Sequence, residues 1–211
     1  IRDRLDIDTE DLKIKGVLKF RQMSPLKYNI MGPFACVPFM ECRHQVWSMR
    51  HLVNGKMIIN KKKYIFSDAL GYWEGDEGYS FPHKYAWTQC FFENGSLMLA
   101  VADIPMFGIH FTGIIGVVLW EEKEYRIATY LGAKASEIKN RTVKVVQRGL
   151  KLEAQLLEDT GYQLQAPVKG SMVRHIQESV TCHAHYKFMK SGATLFDFET
   201  KTASFEYEYG K

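Results

Sequence analysis

Helical periodicity is what this sequence most plainly lacks. No window of its 211 residues places apolar side chains at i, i+3, i+4 and i+7 behind a capping residue, so helices are not expected to build the fold. Cysteine is sparse. Cys36, Cys42, Cys90 and Cys182, irregularly spaced in a chain of 24.4 kDa, do not make a disulfide scaffold, and the cytoplasm is the default location. Long apolar runs are missing too: the longest, Ile109 to Trp120, is broken by His110, Thr112, Gly113 and Gly116 and is too short to cross a bilayer. It reads as a strand pair or one buried strand, and no integral membrane segment is expected. No basic leader followed by an apolar core opens the chain. Neither sign of charge dominates, since 28 Lys and Arg against 24 Asp and Glu leave +4. The one basic run, Lys61 to Lys63, lies between Ile58-Ile59 and Tyr64-Ile65-Phe66 and reads as a solvated hairpin tip. Without a basic stripe or recognition motif, nucleic acid is not an expected partner. A glycine-rich phosphate loop, a nucleophile elbow and a CxxC pair are all absent, which leaves the usual hydrolase, kinase and redox chemistries unsupported.

What the sequence does contain has a period of two. In GLKLEAQLLE, Leu150, Leu152, Ala154 and Leu156 alternate with Lys151, Glu153 and Gln155; in SFEYEYG, Phe205, Tyr207 and Tyr209 alternate with Glu206 and Glu208. Such strands lay one face on a core and the other in water. Turn signals recur at Asn54-Gly55, Asn94-Gly95, Glu121-Glu122-Lys123, Lys139-Asn140, Arg148-Gly149, Thr160-Gly161 and Ser191-Gly192. The expectation is an all-β antiparallel meander that closes on itself, because open sheet edges invite wrong pairing. An aromatic content of 13% favours a barrel whose interior is filled or holds a ligand. The best boundary is Ser24 to Pro38, with Pro25, Pro33 and Pro38. The start at Ile1, inside a polar strand-like run, suggests that an upstream segment is missing.

The densest acids sit beside dense aromatics in GYWEGDEGYSFPHKYAWTQC, residues 71–90. Glu74, Asp76 and Glu77 lie between Trp73 and Tyr79-Ser80-Phe81. A carboxyl group held against aromatic faces loses hydration, which favours its neutral, proton-donating form; the plainer reading is a polar loop with its acids in water. In NIMGPFACVPFMECRHQVWSMRH, Cys42 and His44 share one strand face and Trp47 takes the other. For His44 and His51 the plain reading is a hydrogen-bonded histidine at a strand end. Cys182, His183 and His185 lack a third ligand at a recognisable spacing, so no metal is expected there.

Four blocks in this order, NIMGPFACVPFMECRHQVWSM (29–49), GYWEGDEGYSFPHKYAWTQC (71–90), ATYLGA (128–133) and APVKGSMVRHIQES (166–179), together resemble the tocopherol cyclase-like family in its bacterial members. The closing LFDFETKTASFEYEYG is similar to the family's C-terminal strands. The resemblance implies a calycin, lipocalin-like architecture of two barrels, with 1–28 as the final strands of an incomplete first β-barrel and 29–211 as the second. It also implies the reaction of the family's plant enzymes, closure of the chromanol ring from a prenylated hydroquinone. There an acid protonates a trisubstituted alkene, the tertiary cation forms beside aromatic faces, and the phenolic oxygen closes the ring; no cofactor is needed. Matched block by block, Glu74 and Asp76 fall on the paired acids, Trp87 and Gln89 on the following aromatic and amide strand, and Glu41 and His44 in the Met-Glu-Cys block. The implied acid is Asp76, tuned or reprotonated by Glu74 or His44, with Glu41 nearby; Trp47, Trp73, Phe81, Trp87 and Gln89 line the ligand. Glu77 and Pro33 depart from the aromatics that relatives often carry there. The expected partner is an elongated hydrophobic small molecule, an isoprenoid or a prenylated aromatic. A noncatalytic structural or interaction protein with a filled barrel stays open beside it, and a cavity reaching Glu74 and Asp76 would separate the two. Oligomeric state is not legible.

Overall fold

The structure, a computed structural model of the chain, describes residues 1–38, 40–106, 108–158 and 161–210. Among these residues the regular elements are β1 (Arg2–Asp8), β2 (Lys13–Arg21), β3 (Cys42–Ile59), β4 (Lys62–Gly78), β5 (Tyr85–Phe92), β6 (Gly95–Met106), β7 (Ile109–Trp120), β8 (Lys123–Ala128), β9 (Lys134–Lys139), β10 (Thr142–Gln147), β11 (Leu150–Glu158), β12 (Tyr162–Val168), β13 (Ser171–Lys190) and β14 (Ala193–Tyr207). Two short 3-10 turns, Gly32–Cys36 and Thr129–Leu131, complete them. Two compact units emerge, one of Ile1–Lys27 with Val46–Glu74, the other of Tyr28–Gln45 with Gly75 onward.

In the first unit β1, β2, β3 and β4 follow one another in a single sheet. Asn60 and Lys61 take left-handed φ values of 46° and 73°, the geometry of a tight hairpin turn. The tip is therefore Asn60-Lys61, and Lys62 and Lys63 already belong to β4. Asn54-Gly55, a turn by its sequence, lies inside β3 instead. The Asn54 amide serves the neighbouring strand: its Nδ2 donates to Asp68 Oδ1 at 2.7 Å, and its Oδ1 accepts the Asp68 N–H at 3.1 Å, where Asp68 itself has φ 50°. The side chain thus supports a kink in the adjacent strand, and no chain reversal is required.

A buried polar pin also holds this unit. Ser48 Oγ donates to the Arg50 carbonyl at 3.0 Å and accepts the Ser24 N–H at 3.1 Å, with His51 Nδ1 at 3.2 Å. Since the hydroxyl proton is already committed to Arg50, the His51 contact requires the proton on Nδ1. His51 is buried, and desolvation lowers its pKa below the ordinary 6.5. The unfolded chain therefore takes up the second imidazole proton more readily than the folded one. Burial of His51 carries no penalty above pH 6.5; the penalty grows as pH falls below that value and is complete below the folded pKa. Urea titrations from about pH 7 to about pH 5 should accordingly show a steeper loss of stability in the parent than in His51→Gln. Parallel slopes would contradict a neutral buried His51.

In the second unit the sheet order is β8-β7-β6-β5-β14-β13-β11-β10-β9, with β12 beside β13, and the pairings are antiparallel throughout. It is a lipocalin-like barrel. Its two end strands are joined by the Thr129–Leu131 turn, and one buried side chain knits the remaining edge: Gln147 of β10 donates to the Arg126 carbonyl at 2.8 Å and accepts the Ala128 N–H at 2.9 Å. These bonds satisfy edge groups that would otherwise stand open. The interior is packed by Leu97, Leu99, Leu152, Tyr186, Phe188 and Phe205, each at most 1% exposed.

Alternation shows where one face is wet. On β11 Leu152, Ala154 and Leu156 enter the core, as the sequence pattern expects. Ile109 to Trp120 is one strand, β7, not a pair. On β6 and β7 the alternation disappears because both faces are buried: Leu97 and Leu99 turn to the core, while Met98 and its pairing partner Val117, on the opposite face, are also 0% exposed. Left-handed pairs at Glu121-Glu122, Asn140-Arg141, Arg148-Gly149 and Ser191-Gly192 make the tight reversals, and Lys169-Gly170 adds one that the sequence reading passed over. Thr160 of the expected Thr160-Gly161 turn lies outside the described residues.

Candidate functional site

The distinctive sequence blocks meet in pairs within the second unit. Gly32 has φ 52°, and a Cβ there would lie 2.5 Å from the Tyr130 ring, whose hydroxyl donates to the Ile30 carbonyl at 3.1 Å. The blocks around Asn29 and Ala128 are thus joined by an aromatic ring laid on a glycine. Gly32→Ala should destabilise by about 1–3 kcal/mol through strain and displacement of Tyr130, read as a lowered thermal midpoint; an unchanged midpoint would mean that the ring is free to give way. Likewise the Phe81 N–H donates to the Pro167 carbonyl at 3.2 Å and the Gly170 N–H to the Tyr79 carbonyl at 2.7 Å. Arg174 donates to the carbonyls of Pro82 and His83 at 2.7 and 2.9 Å.

The third junction brings titratable groups together. The Glu41 carbonyl accepts N–H bonds from Tyr79 and Ser80, at 2.9 and 3.3 Å, and a Cβ on Gly78 would sit 2.1 Å from that oxygen. This close approach lays the start of β3 along the end of β4. Across it Asp76 Oδ1 lies 2.9 Å from His44 Nδ1, and the Cys42 thiol donates to the same oxygen at 3.5 Å. His44 is 9% exposed, whereas the Asp76 side chain keeps 35% of its surface. Both contacts fall on Oδ1; among the described residues Oδ2 has no hydrogen bond. Burial, and the carboxylate beside it, push the Cys42 thiol far up, so it serves as a neutral donor and not as a nucleophile. The result is a partly exposed carboxyl group anchored through one of its oxygens.

The remaining expected residues have definite places. Glu74 and Asp76 lie on strand β4, not in a loop. Glu74 belongs to the first unit and accepts the Tyr72 hydroxyl at 2.5 Å. Trp47 and Trp73 belong to that unit too, with ring centroids 5.6 Å apart and Phe20 at 5.8 Å from Trp73. In the second unit Glu41 acts through its main chain, with no side-chain hydrogen bond or ion pair among the described residues. Phe81 lies edge-on to Tyr85 at 6.3 Å. Trp87 and Gln89 lie on the face of β5 opposite Ala86 and Cys90, which enter the barrel core. Trp87 Nε1, Gln89 Nε2 and, on β6, Ser96 Oγ are buried without a hydrogen-bond partner among the described residues. Each such group costs about 1–3 kcal/mol. His183 and His185 pair across the sheet with Glu199 and Asp197 at 2.8 and 2.7 Å. Among the described residues no cluster of His, Cys, Asp or Glu is arranged to hold a metal ion, and no helix is long and apolar enough to cross a membrane. A cavity of about 410 Å³ lined by aromatics including Phe92, Trp120, Phe196 and Phe198 contains neither Glu74 nor Asp76.

Cys42 as the second donor to Asp76, and Ser96, were not singled out by sequence. The first had a signal, since Cys42 and His44 share a strand face. Ser96 had none.

The lipocalin-like barrel agrees with what the chain as a whole matches. The tocopherol cyclase-like family model covers residues 9–208, and the chain belongs to that family. No protein of curated function matches it. Among solved structures, kievitone hydratase from Nectria haematococca aligns with a TM-score of 0.56 at 10% identity, over 97% of this chain and 64% of its own. A protein described as an AttH, from Nitrosomonas europaea, aligns with a TM-score of 0.48 at 11% identity, over 99% of this chain and 65% of its own. The chain thus spans under two thirds of the length of either. At such identities the first supports the fold.

Proposed function

We propose that the protein binds an elongated prenylated aromatic and promotes its ring closure, with Asp76 as the proton donor. The observation that carries this reading is the anchoring of Asp76 Oδ1 by buried His44 and by Cys42, which leaves the other oxygen of a partly exposed carboxyl group for a substrate. A protonated Asp76 delivers its proton to the near carbon of a trisubstituted alkene. The tertiary cation is captured by the phenolic oxygen, and the phenol's proton returns to the carboxylate. One C–H and one C–O bond form, one O–H bond and the alkene π bond are lost, and the product is an isomer of the substrate. No redox partner enters. His44 is a positioning residue that holds Asp76 and steadies its charge between the two transfers. Glu41, Glu74, Trp47, Trp73 and Phe81 are assigned no step. The division into a preceding barrel's final strands over 1–28 and a second barrel over 29–211 stays a proposal, the first unit drawing also on Val46–Glu74.

Incubation with a prenylated hydroquinone tests it: a product of unchanged mass and shifted retention is expected, and its absence from folded protein that binds the substrate would contradict catalysis. The tightly packed barrel interior favours a second reading, a noncatalytic protein whose barrel is filled by its own side chains. That reading expects no saturable binding of any prenylated aromatic.

A further inference from the structure

The barrel end at which β14 finishes, β5 starts and β9 turns into β10 carries groups that the proposed reaction does not use. Phe205 of β14 is buried in the core, and Tyr207 and Tyr209, two and four positions on, pack against that core with ring centroids 5.9 Å apart. Ile138 of β9 packs there too. Asn140 and Arg141 make the β9–β10 turn with left-handed φ values of 49° and 58°, and the Leu156 N–H holds it by donating to the Arg141 carbonyl at 2.9 Å. Lys84 is held likewise, its carbonyl accepting the Asp103 N–H at 2.8 Å. Between these segments lies a cavity of about 550 Å³, in the size range of small-molecule sites, lined by the two tyrosines and Ile138 together with Lys84, Lys139 and Arg141.

Among the described residues lining this cavity are three cations and no carboxylate. Lys84 and Lys139 make no ion pair among the described residues. The acids close by are engaged elsewhere: Glu208, 4% exposed, lies 3.5 Å from Arg174, and Asp103 lies 2.9 Å from His110. Burial pushes the Tyr207 and Tyr209 hydroxyls up, so neither supplies negative charge. Like charges gathered round one concavity attract an anion. We infer that this cavity binds a flat aromatic ring carrying a phosphate monoester, the ring against Tyr207 and Tyr209 and the phosphate among Lys84, Lys139 and Arg141. A phosphate monoester brings about two negative charges at neutral pH. Its oxygens suit the guanidinium fork of Arg141 and the point charges of the lysines, and the ring occupies apolar surface that free phosphate would leave uncovered. Asp76 and His44 do not line this cavity, and the inference stands independently of the proposed ring closure.

Calorimetric titration of the whole chain at low salt with 1-naphthyl phosphate, 1-naphthol and inorganic phosphate tests it. The parent should bind 1-naphthyl phosphate at least about tenfold more tightly than either of the other two, and added salt should weaken it. Lys84→Gln combined with Lys139→Gln should weaken 1-naphthyl phosphate by about tenfold or more. Both lysines are exposed, so the thermal midpoint should stay at the parent's value, and turnover of a prenylated hydroquinone should be unaltered. Tyr209→Leu should bring the Kd of 1-naphthyl phosphate towards that of inorganic phosphate. Equal binding of 1-naphthyl phosphate and inorganic phosphate by the parent would overturn the ring site and leave a charged surface. Equal binding of 1-naphthol and 1-naphthyl phosphate, or an unchanged Kd in the double lysine variant, would overturn the phosphate site.

Discussion

Asp76→Asn should slow the conversion of a prenylated hydroquinone into its chromanol by about 10²–10⁴-fold, the range for removing a positioned acid. The change is nearly isosteric. The amide oxygen can still accept from His44 Nδ1 and from the Cys42 thiol, so the junction of β3 and β4 should persist and ligand binding should be retained. What disappears is the carboxyl proton that the proposed reaction hands to the alkene. His44→Gln should cost less, since it loosens the carboxyl without removing it. Equal losses in the two variants would transfer the proton-donating role from Asp76 to the pair as a unit. Undiminished turnover in Asp76→Asn, measured by product chromatography, would end the acid assignment.

The second large effect is on stability. Arg126 of β8 is 5% exposed in its side chain and its ion-pair partner Glu124 7%, at 2.9 Å. The same guanidinium donates to the carbonyls of Tyr28 and Asn29 at 2.9 and 3.0 Å and lies 3.7 Å over the Tyr28 ring. It ties the segment that carries Ile30 and Met31, both buried, to the barrel. Arg126→Met should therefore destabilise the protein by about 3–5 kcal/mol, because Glu124 is left as a buried charge without its cation and two backbone carbonyls lose their donor. Adding Glu124→Gln should recover part of the loss. Urea unfolding of the single and double variants reads both expectations, and a loss under about 1 kcal/mol in Arg126→Met would show that the pair behaves as a surface contact.

The all-β class and much of the strand pattern were legible because one-sided burial writes a period of two, as at Leu152, Ala154 and Leu156. Where both faces are buried, at Met98 and Val117 no less than Leu97 and Leu99, the pattern becomes a continuous apolar run, and only the turns at Asn94 and Glu121 mark its ends. Asn54-Gly55 misled because a local signal cannot reveal that a side chain amide is committed to Asp68, 14 residues away. The four blocks were readable as a family pattern, yet their physical content is long-range: Gly32 exists for the face of Tyr130, and Gly78 for the carbonyl of Glu41. The contact of His44 with Asp76 spans 32 positions and follows from a hairpin whose tip the sequence blurred into a run of lysines. Ser96, whose hydroxyl has no hydrogen-bond partner among the described residues, had no sequence signal, since a serine in a strand reads as an ordinary wet-face residue, whereas Trp87 and Gln89 were picked out only through the family blocks.

Ring closure run in deuterated water tests the central claim most directly. If the exchangeable proton of Asp76 is delivered to the alkene, each chromanol formed carries one carbon-bound deuteron on the ring carbon next to the new carbon–oxygen bond, and Asp76→Asn forms that labelled product at the about 10²–10⁴-fold lower rate expected above. Chromanol free of carbon-bound deuterium would contradict protonation by an exchangeable acid, and with it the role assigned to Asp76.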